Sequence, residues 1–252
     1  TALAEAQERG FAEADPTADV DGYDAAAKIA ILASIAFNSR VTLDQVPAEG
    51  IRSLSPADIE YAREIGCAIK LLAIARRTDS GIDIRVHPTM IPISHPLAAV
   101  NGVYNAIYVI GDAVGETMFF GEGAGSLPAA SAIVGDLVEV ARNIQTGCGP
   151  VVGCTCTEHH PVRDIATLRS RYYIRLRVAD LPGVLASTAK VFGDHGVSLA
   201  SVIQRSSEGE QSAELVYVTH TALEADVRAS LAEIAEKDAV LEVGALVRVE
   251  DL

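Results

Sequence analysis

Between residues 172 and 249 the apolar positions change period in a fixed order, and that order leaves few folds open. Residues 172–178 alternate as a strand, 183–195 have helical spacing, and 197–205 and 213–220 alternate again. Residues 223–237 are helical and 240–249 form a last strand. Strand, helix, strand, strand, helix, strand is the ferredoxin-like order, in which two helices cover one face of a four-stranded antiparallel sheet.

Upstream the pattern differs. From 24 to 37 nearly every residue is Ala, Ile, Leu or Phe, and a helix apolar all round is expected to be buried all round. Ser55-Pro56-Ala57-Asp58 offers a serine cap, a proline in the first turn and an acid near the positive helix end, so a helix starts there and stops at Gly66. Residues 67–77 and 82–86 read as strands joined by the turn Thr78-Asp79-Ser80-Gly81. A second hairpin spans 104–110 and 116–120, and a helix over 126–142 follows a glycine-rich entry. Residues 2–10 read as the tail of a helix ended by Gly10. Residues 146–163 mix Gly, Pro, Cys and His without period and read as a linker or excursion.

The expected class is α+β: a mixed or antiparallel sheet with helices on one face, followed by the ferredoxin-like unit. The boundary falls near 169–171, giving a first domain over 1–147, a linker over 148–170 and a second domain over 171–252. The all-round apolar helix and the hairpins suggest a shared interface, hence a homodimer or homotetramer.

Hydrophobic residues make up 49 % of the chain, enough for a sizeable core. The net charge of -14 argues against non-specific nucleic-acid binding. No apolar run of about 18 residues marks a membrane span, and no secretory signal opens the chain. With four cysteines, a cytoplasmic location is the expectation. The chain begins at Thr1 rather than Met, as a fragment or processed product would.

The chemistry concentrates near the start. Glu13, Asp15, Asp19 and Asp21 crowd a loop that carries Pro16 and Gly22. Asp24 and Lys28 follow at i, i+4 spacing, on one helix face with apolar neighbours. Buried charges are costly unless paired, and perturbed groups collect at functional sites, so this pair is a candidate active group. A structural ion pair is the plainer alternative. Asp15-Pro16 and Asp21-Gly22 read as turns, with Asp21 a possible cap for the helix.

Gly121-Glu122-Gly123-Ala124-Gly125-Ser126 precedes a helix, where glycines admit a ligand close to the backbone. It is not Gly-x-Gly-x-x-Gly in a β-α-β unit, so alone it is a weak signal. Cys148, Cys154, Cys156, His159 and His160 have a spacing that fits no usual zinc site, and no metal site is assigned. His87 and His95 stand beside Pro88 and Pro96 in what reads as loop and receive no role.

Together these motifs resemble homoserine dehydrogenase. The resemblance rests on Gly10-Phe11-Ala12-Glu13-x-Asp15-Pro16-x-x-Asp19-x-x-Gly22-x-Asp24-x-x-x-Lys28, then His95-Pro96-Leu97, Asn105-Ala106-Ile107 and Gly121-x-Gly123-Ala124-Gly125-x-x-Pro128. Residues 172 onward, with Asp180-Leu181-Pro182-Gly183-Val184-Leu185, resemble an ACT domain, an amino-acid-sensing module. The resemblance implies NAD(P)H-dependent interconversion of L-aspartate 4-semialdehyde and L-homoserine, in threonine, methionine and isoleucine biosynthesis. It implies that Glu13 and Asp19 hold the substrate, with Glu13 near its amino group. Asp24 would orient the reacting end, and Lys28 would give the proton to the carbonyl oxygen. Gly123, Ala124 and Gly125 would lie against the cofactor. Asp180, Gly183 and Val184 would meet an amino-acid effector, with threonine the one implied.

One departure is large. The family's N-terminal nucleotide-binding domain has no counterpart here, so most of the dinucleotide, and the family's alkali-metal site, would belong to residues outside this chain. This chain alone is expected to be inactive. The alternative is a non-catalytic amino-acid-binding regulatory or assembly protein.

Overall fold

The structure is a computed structural model and describes residues 2–8, 14–150, 153–206 and 212–250. Its helices are α1 (Ala2–Glu8), α2 (Thr17–Val20), α3 (Tyr23–Ala36), α4 (Pro56–Glu64), α5 (Ser126–Thr146), α6 (Val184–Asp194) and α7 (Glu224–Ala235). The strands are β1 (Cys67–Thr78), β2 (Gly81–Pro92), β3 (Tyr104–Gly111), β4 (Gly115–Glu122), β5 (Arg169–Ala179), β6 (Leu199–Ser206), β7 (Ser212–Thr219), β8 (Ala222–Leu223) and β9 (Val240–Val249).

The expected elements form close to where the sequence places them, but α5 runs on to Thr146, past the expected end at 142, β5 starts at Arg169 rather than 172, and the acidic loop contains the short helix α2. Strand β2 runs on to Pro92, past the expected end at Val86, and pairs with β1 along its whole length. The four long strands of the C-terminal unit lie in the order β9-β5-β7-β6, as the ferredoxin-like reading requires. This sheet does not stand alone. β9 pairs in parallel with β2, Thr89 opposite Arg248 and Met90 opposite Val249, so the two halves share one mixed sheet, β1-β2-β9-β5-β7-β6.

The edge of β2 away from β1 is taken up by three segments in turn. The Ile82 N–H donates to the Pro161 carbonyl, the Val86 N–H to the Pro47 carbonyl, and the Glu250 N–H to the Met90 carbonyl. The second part of the expected linker is thus docked: His160 donates its backbone N–H to Ser39 Oγ at 3.0 Å, and Arg163 forks onto Asp83 at 3.0 and 3.2 Å.

Strand alternation sorts side chains to two faces. Tyr172, Ile174 and Leu176 of β5 join Phe192, Tyr217, Val227 and Ile234 under α6 and α7. Tyr173 faces the other way, with Tyr61 and Ala62 of α4 and with Met90, Val247 and Val249. Helix α3 packs Ala26, Ala30 and Ala33 on Ile82, Ile84 and Val86. Helix α4 starts as its sequence dictates: the Ser55 hydroxyl oxygen accepts from the Asp58 N–H, and Asp58 Oδ2 accepts from the Ser55 N–H at 2.8 Å. The β3–β4 hairpin and α5 pack extensively against no other described element. Among the described residues, no helix is long and apolar enough to cross a membrane.

Candidate functional site

Asp24 and Lys28 project from the first two turns of α3 and meet: Lys28 Nζ donates to Asp24 Oδ2 at 2.5 Å. Their surroundings correct the sequence reading. The expected all-round burial of this helix does not occur: Ala26, Ala30 and Ala33 are buried on the sheet and Ile29 packs beside them, while Ile31 and Ile35 stay exposed. The Lys28 and Asp24 side chains are 64 % and 45 % exposed. The pair is an open ammonium and carboxylate, able to meet a polar ligand directly.

The entry to α3 is built by its neighbours. Gly22 is the first cap, with a φ of +81° that disfavours any side chain, and the Ala26 N–H closes the first turn on the Gly22 carbonyl. Asp21 does not cap the helix, contrary to expectation. It pairs with Arg52 at 2.5 and 3.3 Å. Asp15 is the turn residue expected: its carboxylate accepts from the Thr17 N–H and hydroxyl, which hold its pKa below the usual carboxylate range. Asp19 is exposed on α2, which runs through the Asp21-Gly22 turn into α3. Glu13, with Gly10, Phe11 and Ala12, lies outside the described residues.

The glycine loop is elsewhere. Helix α3 packs with α2, β1, β2 and the short turn Leu43–Gln45, while Gly121 to Gly125 close the β3–β4 hairpin and open α5. Gly123 is a glycine for an internal reason: a Cβ there would come within 1.9 Å of the Asn105 side-chain nitrogen. Ala124 follows, and Gly125 caps α5 at a φ of +118°. Among the described residues this glycine turn belongs to a two-stranded hairpin and not to a β-α-β unit.

The motif residues Asn105 and Gly121 face each other across the hairpin. His95 packs edge-on against Tyr108 at 4.9 Å. Its Nδ1 accepts from the Leu97 N–H, so it starts the turn Pro96–Ala99 that leads to β3.

Residues 1–138 match the protein-family model described as homoserine dehydrogenase. The chain belongs to the homoserine dehydrogenase family. Residues 172–238 match the ACT domain. The homoserine dehydrogenase of Synechocystis is 47 % identical, over 98 % of this chain and 59 % of its own length. That of Corynebacterium glutamicum is 47 % identical, over 98 % of this chain and 56 % of its own. A crystal structure of a homoserine dehydrogenase from Thiobacillus denitrificans superposes with a TM-score of 0.87 at 42 % identity, covering 99 % of this chain and 57 % of that one. The chain therefore spans a little over half the length of the curated homoserine dehydrogenases it matches.

The ACT part of this family member has its own cavity. Asp180, Gly183 and Val184 line a groove of about 300 Å³ with Leu181, Gln204 and Leu215. Gly183 caps α6 with a φ of +90° and open space where a Cβ would stand. All three sequence-predicted effector residues thus share one concavity.

What sequence reasoning missed lies at the junction between the first domain and the ACT part. His87 is in strand β2, not a loop, and is fully buried. Its Nε2 accepts from Arg85 Nε at 3.1 Å, which leaves Nδ1 to donate to the Pro88 carbonyl at 3.0 Å. Burial, with the Arg248 and Arg85 guanidiniums, pulls its pKa down to about 3.

Asp58 accepts from Tyr173 at 2.8 Å and from Arg175 at 2.7 and 3.2 Å. Burial would raise this carboxyl, but Arg175, Ser55 and Tyr173 outweigh it and hold it low. Fully buried Arg248 forks onto Glu49 at 2.8 and 3.0 Å and also meets Glu224. The only sequence signal was the number of arginines at inward strand positions: 85, 175 and 248.

Proposed function

We propose that this chain carries the substrate side of an NAD(P)H-dependent homoserine dehydrogenase that interconverts L-aspartate 4-semialdehyde and L-homoserine. The observation that carries this reading is the open Lys28–Asp24 pair at 2.5 Å, on the helix entered from the family's acidic loop. Reduction of the aldehyde needs a hydride at carbon and a proton at oxygen. The bound dinucleotide supplies the hydride. The Lys28 ammonium donates its proton to the carbonyl oxygen, which becomes the hydroxyl, and solvent restores the lysine. In the reverse direction neutral Lys28 takes the hydroxyl proton.

Asp24, one turn before Lys28, fixes the ammonium in one place and orients the reacting end. Asp19 and Glu13 bind the polar end of the substrate, with Glu13 on its amino group. A primary ammonium and several acidic groups suit a substrate that bears its own ammonium and a reducible aldehyde. Gly123, Ala124 and Gly125 form the part of this chain that faces the cofactor. The groove at Asp180, Gly183 and Val184 takes an amino-acid effector, threonine being the one implied. On this reading the protein serves threonine, methionine and isoleucine biosynthesis and works in the cytoplasm.

The domain division that fits is 1–147 for substrate binding and dimerisation, 148–170 as connection and 171–252 as the ACT module. The apolar β3–β4 hairpin and α5 are the surfaces through which a homodimer or homotetramer forms. NADPH oxidation with aspartate semialdehyde, by the intact enzyme that carries this chain, tests the reading. Turnover that collapses in Lys28→Met supports it, and unchanged turnover in that variant defeats it. Calorimetry with threonine tests the effector groove: heat that vanishes in Asp180→Ala is the expected result, and no heat with the unaltered enzyme contradicts it.

A further inference from the structure

We infer that Glu49 is a positioning residue for the substrate helix, held in place by Arg248 and Arg228 of the C-terminal module. The inference rests on the reading of Asp24 and Lys28 as substrate groups, and it gives the ACT module a direct mechanical hold on them.

Glu49 works in two directions at once. Its backbone lies against the turn that opens α3. The Glu49 N–H donates to the Val86 carbonyl at 2.8 Å, and the Ile51 N–H donates to the Val20 carbonyl at 2.9 Å. A Cβ on Gly50 would come within 2.3 Å of the Val20 carbonyl oxygen and 2.6 Å of the Asp21 Cα. A Cβ on Gly22 would meet the Glu49 carbonyl oxygen at 3.7 Å. The stretch 49–51 therefore touches the main chain of residues 20–22 with no side chain between them.

The side chain of Glu49 points the other way. Both its oxygens accept from Arg248, at 2.8 and 3.0 Å, and Arg228 Nη2 adds a further short contact. Arg248 cannot drift, because it is fully buried, sits in β9 opposite Thr89, and is bound on its other side by Glu224 of α7. Burial alone would raise the Glu49 carboxyl, but Arg248 and Arg228 outweigh it and keep it ionised. A two-pronged carboxylate–guanidinium contact fixes direction as well as distance.

Helix α3 needs such a hold. Its fully buried side chains are alanines, at 26, 30 and 33, which interlock little with the sheet beneath, and the larger Ile29 packs beside them only partly buried. Its position along the sheet is set at its first turn, where Gly22 and the 49–51 stretch meet. Asp24 and Lys28 stand on that turn and the next, and misplacement of a reacting group by about 1 Å costs on the order of 100-fold in rate.

The test uses the intact enzyme that carries this chain, with Glu49→Ala, Glu49→Gln and, as a control on an exposed pair of the same module, Lys190→Ala. Two quantities are read: kcat and KM for aspartate semialdehyde, and hydrogen exchange of the amides of residues 22–28. Glu49→Ala should lower kcat/KM about 10- to 100-fold and speed exchange at residues 22–28. Glu49→Gln should fall between it and the unaltered enzyme, and Lys190→Ala should change neither quantity. Where Glu49→Ala does not fold, Glu49→Gln, which keeps the volume, carries both readouts.

A Glu49 variant that melts earlier but keeps its kcat, its KM and its exchange at residues 22–28 overturns the inference. An unaltered enzyme with no such turnover defeats the functional reading alone. In that case faster exchange at residues 22–28 in Glu49→Ala still supports the hold on α3, and unchanged exchange still overturns it.

Discussion

Strand β5 and helix α5 are comparably apolar in sequence and opposite in fate. β5 buries Tyr172, Tyr173, Ile174 and Leu176 completely, because its two faces meet α6 and α7 on one side and α4 on the other. α5 buries nothing: Leu127 is 82 % exposed and Ile144 78 %, with Ile133, Leu137 and Val140 open along the same helix. The adjoining hairpin exposes Phe119 and Phe120 as well. Exposed apolar surface on this scale is what the proposed subunit interface would cover. The lesson is a division of labour. The C-terminal half and its junction close on themselves and supply stability, while the half that bears Asp24, Lys28 and the glycine loop turns the proposed substrate groups and its apolar arm outward.

Substitutions should split along that line. The largest effect belongs to Lys28→Met in the intact enzyme, where kcat should fall about 10²- to 10⁴-fold. Because the lysine is exposed, its thermal midpoint should stay close to that of the unaltered enzyme. A rate loss accompanied by a large drop in that midpoint would break the contrast.

Asp58→Ala should do the reverse. It takes from the buried Arg175 its nearest carboxylate and leaves the longer contact to Glu214 at 3.4 Å, so urea unfolding should show a loss of about 3–5 kcal/mol, with KM unchanged in the protein that remains folded. A small loss would mean that the junction is softer than its geometry.

The pH dependence sharpens the picture of the junction. His87 titrates near 3 when folded, against 6.5 for an ordinary histidine. The unfolded chain therefore binds a proton in that window that the folded chain refuses. The contribution is complete above pH 6.5 and is lost as the pH falls toward 3, by at most about 1.4 kcal/mol per unit. Asp58 and Glu49, whose values are lowered, contribute fully above the ordinary carboxylate range and lose that contribution as the pH falls through it. Denaturant midpoints between pH 6.5 and 4.5 should therefore slope less in His87→Gln, and an equal slope would contradict the account.

The smallest effect on folding belongs to the arm. Phe119→Ser with Ile144→Ser should change unfolding by less than about 0.5 kcal/mol, yet weaken self-association in sedimentation. Unaltered association would remove the arm as the interface.

The sequence made the local rules legible. Alternation located β5, β6, β7 and β9, and Ser55-Pro56-x-Asp58 located the start of α4, because period and capping are properties of neighbouring residues. Burial of α3 was not legible. A helix of Ala, Ile and Leu can bury one face or all of them, and only the partner decides. Here the sheet reaches Ala26, Ala30 and Ala33 and leaves Ile31 outside. The role of Asp21 was misread because its partner, Arg52, lies 31 residues on. The fused sheet and the Glu49–Arg248 contact, 199 residues apart, depend on pairings that no local pattern encodes. For the candidate site, the acidic loop and the i, i+4 pair were visible, but the junction that supports them was not.

The most direct test of the central claim, that this chain holds the substrate's half of the reaction, is an NADPH-oxidation assay with aspartate semialdehyde. It compares the 252-residue chain alone with the same chain joined to the N-terminal nucleotide-binding domain of a relative. The account predicts no turnover by the chain alone, turnover when the two are joined, and its loss in the joined Lys28→Met. Robust turnover by the chain alone, or a joined Lys28→Met as fast as its parent, would contradict it.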